Sequence, residues 1–204
     1  MPREKPSADA IACECESFYC YSIACRNRDD TRDIGAFEPI HESGIGLSEY
    51  LRDCAYRDER EGVMRTYLVR DGSSNEFVGY FSIKAGAIST NERVLGDKTT
   101  FDTIPSAEIA CLALDRSYRE AHPESRGCGM VIFQGLIMPL IRMASAVLGI
   151  SRVFLFAIPD PDGKVVGVYR GYGFHELPEE QAAFLNARMK PTVSQGCTFM
   201  YLKL

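Results

Sequence analysis

Histidine is scarce in this sequence, and the spacing patterns of zinc sites are missing. The three histidines, His41, His122 and His175, lie far apart, and no two of the eight cysteines form a Cys-x-x-Cys pair. Four cysteines cluster early, at Cys13, Cys15, Cys20 and Cys25, with no histidine beside them. The sequence therefore predicts no metal site. We expect the cysteines to be buried small hydrophobes and exposed thiols rather than disulfides.

An excess of positive charge is also missing. The 23 lysines and arginines are outnumbered by 28 aspartates and glutamates, so the net charge is −5 and the isoelectric point is about 5.3. This balance argues against a large non-specific nucleic-acid surface and favours a cationic substrate or partner. A local basic groove remains compatible with it.

The N-terminal residues lack the apolar segment of a signal peptide, and one stretch, 130–148, resembles a membrane span. That stretch contains Gln134, Pro139 and Arg142 and follows a glycine turn, which favours a buried core helix. We therefore expect a cytoplasmic protein with no membrane partner.

The periodicity predicts one domain, 13–204, after a flexible tail, 1–12. Strands are expected at 17–24, 65–70, 76–87, 107–115, 152–158 and 198–204; helices at 45–61, 129–148, 164–171 and 178–188; and irregular chain at 91–104 and 116–126. Pro139 is expected to kink its helix, with Gly135 leaving room for the ring. This order predicts an α/β fold with one mixed, mostly antiparallel sheet and helices on both faces.

The most informative stretch is the turn Arg126-Gly127-Cys128-Gly129, which leads into the apolar run. Two glycines one residue apart let a turn expose its N–H groups, and the following helix adds its own free N–H groups and dipole. This combination forms a socket for phosphate oxygens.

Three motifs in order resemble the GNAT superfamily of acyl-CoA N-acyltransferases. They are the strand end Leu112-Ala113-Leu114-Asp115, the Gly-x-Gly turn, and the Tyr-x-x-x-Gly-Phe ending from Tyr169 to Phe174. Phe77-Val78-Gly79-Tyr80 is similar to the family's third strand. The resemblance covers roughly residues 64–174.

The resemblance implies acetyl-CoA as the donor, an amine as the acceptor, and a sheet that splays between strands 107–115 and 152–158. It implies that the CoA pyrophosphate binds the backbone amides of Arg126, Gly127, Cys128, Gly129 and Met130. The pantetheine and the acetyl carbonyl are assigned by the same resemblance to Leu112, Ala113 and Leu114.

Two side chains are candidates for proton transfer. Tyr169 has the family's position for the acid that protonates the leaving thiolate, and a phenol with a pKa of about 10 stays protonated near neutrality. Glu108 resembles the glutamate base of the histone-acetyltransferase branch, and burial would raise its pKa toward neutrality. The alternatives are a packing tyrosine and a glutamate at the solvent end of its strand.

The sequence departs from the family at Glu124, where a phosphate-contacting side chain is usual, and in the long loop 115–125. Arg119 or Arg126 is the candidate replacement. Cys128 at a helix start is a second candidate for chemistry, with a thiol pKa lowered by its position.

The leading interpretation is an N-acetyltransferase that transfers acetyl directly to a small-molecule or protein amine. The first alternative is the GNAT toxin branch, which acetylates aminoacyl-tRNA. The second is a degenerate member that binds acyl-CoA or a protein without catalysis. A homodimer is compatible with each of them.

Overall fold

The fold is described from a computed structural model, which covers residues 6–95, 98–160, 162–192 and 196–204. The strands within these ranges are β1 Ile11–Glu14, β2 Phe18–Ser22, β3 Arg65–Asp71, β4 Phe77–Leu95, β5 Lys98–Leu114, β6 Arg152–Ala157, β7 His175–Glu176 and β8 Thr198–Lys203. The helices are α1 Arg28–Ala36, α2 Ile45–Asp53, α3 Ala55–Glu61, α4 Arg116–Ala121, α5 Cys128–Leu148, α6 Lys164–Gly171 and α7 Glu179–Asn186.

The strands form a mixed sheet with the order β1-β2-β3-β4-β5-β6-β8-β7. The neighbours β1 to β4 pair antiparallel, β5 pairs parallel with β6, and β8 pairs antiparallel with β6 and β7. The parallel register joins Ser106–Ile109 to Arg152–Leu155, and β5 continues to Leu114 beyond its last pair. The expected mixed α/β architecture is confirmed.

The chain divides into two compact units. The first comprises residues up to Ile83 together with Cys111–Ile141. Its core includes the fully buried rings of Tyr80 and Phe81 and, from α5, Ile132 and Leu136. Near the middle of α5 a Cβ on Gly135 would lie 2.9 Å from the Cβ of Cys15, so the close approach of Cys15 favours a glycine there.

The second unit comprises Lys84–Ala110 and Arg142–Leu204. Its core is an aromatic and aliphatic cluster of Ile88, Phe154, Leu185 and Phe199. Phe154 stacks on Phe199 with ring centroids 5.5 Å apart, and a Cβ on Gly86 would lie 3.0 Å from the Phe154 ring. The missing side chain at Gly86 of β4 therefore leaves room for the Phe154 ring of β6.

Helix α5 begins at Cys128, and its backbone takes π-helical bonding over Phe133–Ile137 before continuing to Leu148. The widened turn ends two residues before Pro139, whose missing N–H interrupts regular bonding. The helix is long and apolar enough to cross a membrane, with 39% of its most apolar window buried. A core helix satisfies the same criteria, and Ile137 and Ile141 are buried here.

Several expectations for local structure are wrong. Residues 91–104 are not irregular, because β4 and β5 extend through most of them, with residues 96–97 outside the described chain. The loop 116–126 contains helix α4, and the helix expected over 45–61 is divided at Cys54. Helix α1 was not expected; a capping box in which Asn27 and Asp30 bond each other's backbone N–H starts it.

Candidate active site

The glycine turn opens α5 with the geometry that its sequence predicts. Gly127 is the N-cap residue, with φ +94°, and no side chain caps the helix start. Apart from its neighbours along the chain, no atom of the described residues lies within 4 Å of a Cβ placed on Gly127. The glycine is therefore required by its backbone conformation, and one side of the turn is open. Such a turn is suited to binding phosphate oxygens through backbone N–H groups.

The loop before this turn is held by polar contacts. Glu124 bonds the Nδ1 of His122 at 3.1 Å, while the Nε2 of His122 lies 2.8 Å from an oxygen of Glu76. Hydrogen bonds to Glu76 and Glu124 raise the pKa of His122. Glu124, exposed, is therefore occupied with His122 and belongs to the loop's own bonding.

Arg119 and Arg126 bring positive charge to the turn. Arg119 donates from Nη1 to the hydroxyl of Ser125 at 2.9 Å, and Arg126 is exposed. The positive charge of Arg119 also acts to lower the pKa of the Cys128 thiol, against the larger effect of burial. Its hydrogen bond to Ser125 therefore holds Arg119 against the loop that precedes Gly127.

The expectation of a lowered thiol pKa at Cys128 is wrong. The residue is 6% exposed, and burial raises the pKa of the thiol although the Arg119 charge opposes the shift. A buried thiol that stays protonated is a poor nucleophile.

The strand end that the sequence assigned to the acetyl group packs closely on β4. Gly79 has φ +152°, and a Cβ there would overlap the carbonyl oxygen of Ala113 and lie 2.9 Å from the Cα of Leu114. The N–H of Asp115 donates to the carbonyl of Val78 at 2.8 Å. Gly79 therefore fixes the position of residues 113–115, a role that the sequence alone did not indicate.

Glu108 lies inside the second unit rather than at the solvent end of its strand. It is 6% exposed, and its Oε2 pairs with the Nζ of Lys84 at 3.3 Å. Its Oε1 is buried without a hydrogen-bond partner among the described residues. Burial raises the pKa of Glu108, and the Lys84 charge partly opposes this. The expected direction of the pKa shift is confirmed.

Lys84 is a residue that sequence reasoning missed. Its Nζ also donates to the hydroxyl of Thr192 at 3.2 Å, so the ammonium is held between this hydroxyl and Glu108. Lys84 and Glu108 are on different strands, and no sequence spacing links them.

Tyr169 is half-buried on the last turn of α6. Its carbonyl accepts the N–H of Phe174 at 3.0 Å, and Gly173, with φ +93°, makes the turn that buries Phe174. The rings of Tyr172 and Phe174 approach Tyr169 edge-on, at 5.8 and 5.9 Å. The Tyr-x-x-x-Gly-Phe spacing therefore fixes the tyrosine through its neighbours.

The candidate residues are divided between the two units. Leu112–Leu114 and Arg126–Met130 belong to the first unit, whereas Glu108 and Tyr169 belong to the second. Within the described ranges no group of three or more His, Cys, Asp and Glu side chains is arranged to hold a metal ion.

The fold is similar to that of solved toxin structures that share 20% identity or less with this chain. A solved structure of a tyrosine-to-phenylalanine mutant of the toxin AtaT matches with TM-score 0.58 at 18% identity, over 98% of this chain and 93% of that chain. AtaTR bound with AcCoA matches with TM-score 0.58 at 20% identity, over 93% and 95%. AtaT complexed with acetyl-methionyl-tRNAfMet matches with TM-score 0.57 at 18% identity, over 91% and 94%. No family model matches the chain.

Proposed function

We propose that this chain is an acetyl-CoA-dependent N-acetyltransferase whose acceptor is the amino group of an aminoacyl-tRNA. The observation that carries the proposal is the open glycine turn at Gly127, which starts α5 after the β5 strand end in a chain with the GNAT fold. Structures with this fold include one bound with AcCoA and one complexed with acetyl-methionyl-tRNAfMet. These neighbours favour aminoacyl-tRNA over a general amine acceptor.

The backbone amides of Arg126, Gly127, Cys128 and Gly129 bind the CoA pyrophosphate, because the turn is open on one side and its helix start carries no side-chain cap. The N–H of Met130, which the resemblance also assigns to the pyrophosphate, donates to the carbonyl of Gly127 at 2.9 Å. Arg119 and Arg126 supply the cationic side chains that Glu124 does not. Leu112, Ala113 and Leu114 hold the pantetheine and the acetyl group, at the strand end that Gly79 positions.

The reaction transfers acetyl in one displacement. The neutral acceptor amine attacks the thioester carbonyl, and a strand N–H near Ala113 stabilises the oxyanion that forms. The C–S bond then breaks, and Tyr169 gives its proton to the departing CoA thiolate. Glu108 removes the proton that the amine must lose, and burial adjusts its pKa toward that task.

The test is a panel of acceptors supplied with radiolabelled acetyl-CoA: aminoacyl-tRNA, the same tRNA without its amino acid, a polyamine, and a lysine peptide. We expect label on the aminoacyl group, no label on the deacylated tRNA, and release of one thiol for each acetyl transferred. Transfer only to the polyamine or the peptide would contradict the tRNA acceptor but keep the acetyltransferase assignment.

Calorimetric titration with acetyl-CoA separates the remaining alternative. Binding without thiol release toward any amine would indicate a non-catalytic acyl-CoA-binding member. No binding at all would overturn the assignment of the glycine turn. As a cellular counterpart, we expect expression to arrest bacterial growth, with a small antitoxin protein as the partner that relieves it.

A further inference from the structure

A cavity of about 390 Å³ lies in the first unit where β2 passes into α1, away from the glycine turn in sequence. It is lined by Ala24, Arg26, Asn27, Arg28, Thr31 and Tyr56. Two of these residues are arginines, and no carboxylate side chain is among them. The cavity is therefore a positively charged recess in a chain whose net charge is −5.

Arg26 is held rigidly at this cavity. Its Cζ lies 3.3 Å from the centroid of the Tyr56 ring, a stacked cation–π arrangement. Its Nη1 is buried and has no hydrogen-bond partner among the described residues. A buried guanidinium N–H without an acceptor is costly and favours an acceptor supplied by a ligand.

Three carboxylates of α1 and α3 are engaged elsewhere. Asp30 pairs with Arg70 and accepts the N–H of Asn27, Asp29 pairs with Arg32, and Glu59 accepts from Arg65 and from the N–H of Thr66. Among the described residues Arg26, Arg28 and Arg60 form no ion pair within 4.0 Å. Arg60 follows Tyr56 by four residues on α3, so the two side chains share one face of that helix. Hydrogen bonds from Arg60 and Arg26 lower the pKa of Tyr56.

We propose that Arg26, Arg28 and Arg60, with the Tyr56 hydroxyl, form a binding site for a phosphate ester. The arginine forks match two phosphate oxygens, and the phenol adds a donor beside them. The same chemistry is offered by the phosphodiester of an RNA and by the phosphate of a free nucleotide. The site is independent of acetyl transfer, so its binding is measured without acetyl-CoA.

The experiment is fluorescence anisotropy of a labelled short RNA hairpin on the full chain, with inorganic phosphate and AMP as competitors. Arg26→Met and Arg28→Met are each expected to weaken binding about tenfold or more, since each removes a charge-assisted hydrogen bond. The slope of log K against log salt should become shallower by about one for each phosphate that a substitution leaves without its arginine.

Arg57→Met is the matched control. Arg57 follows Tyr56 directly, but its guanidinium forms an ion pair with Asp58 at 3.2 Å. It should change RNA affinity by less than about twofold, as expected for an exposed paired charge. Equal losses for Arg57→Met and Arg26→Met would overturn the site, since they would indicate diffuse charge attraction.

The source of the phosphate follows from the competitors. Hairpin binding that the Arg26 variant abolishes identifies an RNA phosphodiester, and binding of AMP in a direct calorimetric titration, without hairpin binding, identifies a small phosphate ester. Failure of all three probes to bind overturns the proposal. If Arg26→Met does not fold, the exposed Arg28→Glu substitution carries the same test, because glutamate is favourable at the first turn of α1.

Discussion

Glu108 on β5 is a buried carboxylate, and the cation that pairs with it is Lys84 on β4. The Lys84 ammonium lies 3.3 Å from one carboxylate oxygen, and the other oxygen has no hydrogen-bond partner among the described residues. Because burial raises the pKa of Glu108 and the Lys84 charge opposes this shift, both effects determine the pH at which Glu108 ionises.

We expect Lys84→Met to move the acidic limb of the kcat/KM profile to higher pH. Without the ammonium, desolvation acts unopposed, the pKa of Glu108 rises further, and less carboxylate is ionised at a given pH. The measurement is kcat/KM for acetyl transfer across the pH range. Thr192→Val, which keeps both charges, should shift the limb less, and an unchanged limb in Lys84→Met would exclude Glu108 as the titrating base.

We expect Tyr169→Phe to lower kcat by about 10²- to 10⁴-fold, because the thiolate would leave without its proton donor. KM for acetyl-CoA should stay nearly constant, since the ring and its contacts with Tyr172 and Phe174 are kept. Tyr172→Phe is the matched control on the same helix end. Full turnover of Tyr169→Phe between about pH 6 and 9 would show that another group protonates the thiolate.

At the scale of elements, the turn before α5 shows what a sequence motif specifies and what it leaves open. The Gly-x-Gly spacing predicted the turn, and Gly127 has the positive φ that the motif requires. The contact of Glu124 with His122 was not predictable from the sequence. His122 is also bonded by Glu76, which precedes β4 and is remote from the turn in sequence.

We expect Gly127→Ala to raise KM for acetyl-CoA with a smaller effect on kcat. A side chain at φ +94° strains the backbone by about 1–2 kcal/mol and displaces the N–H groups of the turn. Gly35→Ala is the control, since Gly35 lies within α1 with nothing within 4 Å of its Cβ position and should stabilise the fold slightly. Unchanged KM in Gly127→Ala would place the pyrophosphate elsewhere.

The elements that sequence patterns missed share a physical cause. Residues 91–104 show little alternation of apolar and polar side chains, so their sequence does not predict strands. Backbone hydrogen bonds alone can extend two paired strands, and β4 and β5 extend into this segment. Helix α1 is charged along most of its length and has only Ile34 as a buried apolar residue, so its periodicity is weak. Its Asn27–Asp30 capping box was the readable signal.

At the scale of the whole molecule, stability depends on a buried charge network. Arg70 is 2% exposed and pairs with Asp30 and, at 2.9 Å, with Asp33, while its Nε donates to the hydroxyl of Tyr21 at 3.0 Å. The network joins β2, β3 and α1, which no sequence motif connects. Removing one member would leave buried charge without compensation.

We therefore expect Arg70→Met to lower the free energy of unfolding by about 3–5 kcal/mol, because it leaves two buried carboxylates without their cation. Arg32→Met on α1 should cost less than about 1 kcal/mol, since Arg32 and its partner Asp29 are both accessible to solvent. Urea denaturation of both variants measures the difference, and similar losses would mean that the buried network is dispensable.

The sequence by itself predicted the strands β3, β6 and β8, the helices α5 and α6, the position of the glycine turn, the GNAT resemblance, and Tyr169 as the candidate acid. These features depend on spacings within a few residues, which local backbone geometry converts directly into turns and helix starts. The tertiary structure alone decided that Glu108 is buried against Lys84, that Gly79 supports the Ala113 strand end, and that Cys128 is a buried thiol. It also brought Arg26 and Arg28 to one cavity with Tyr56. Each of these depends on residues remote in sequence, whose burial and charge contacts exist only after the chain has folded.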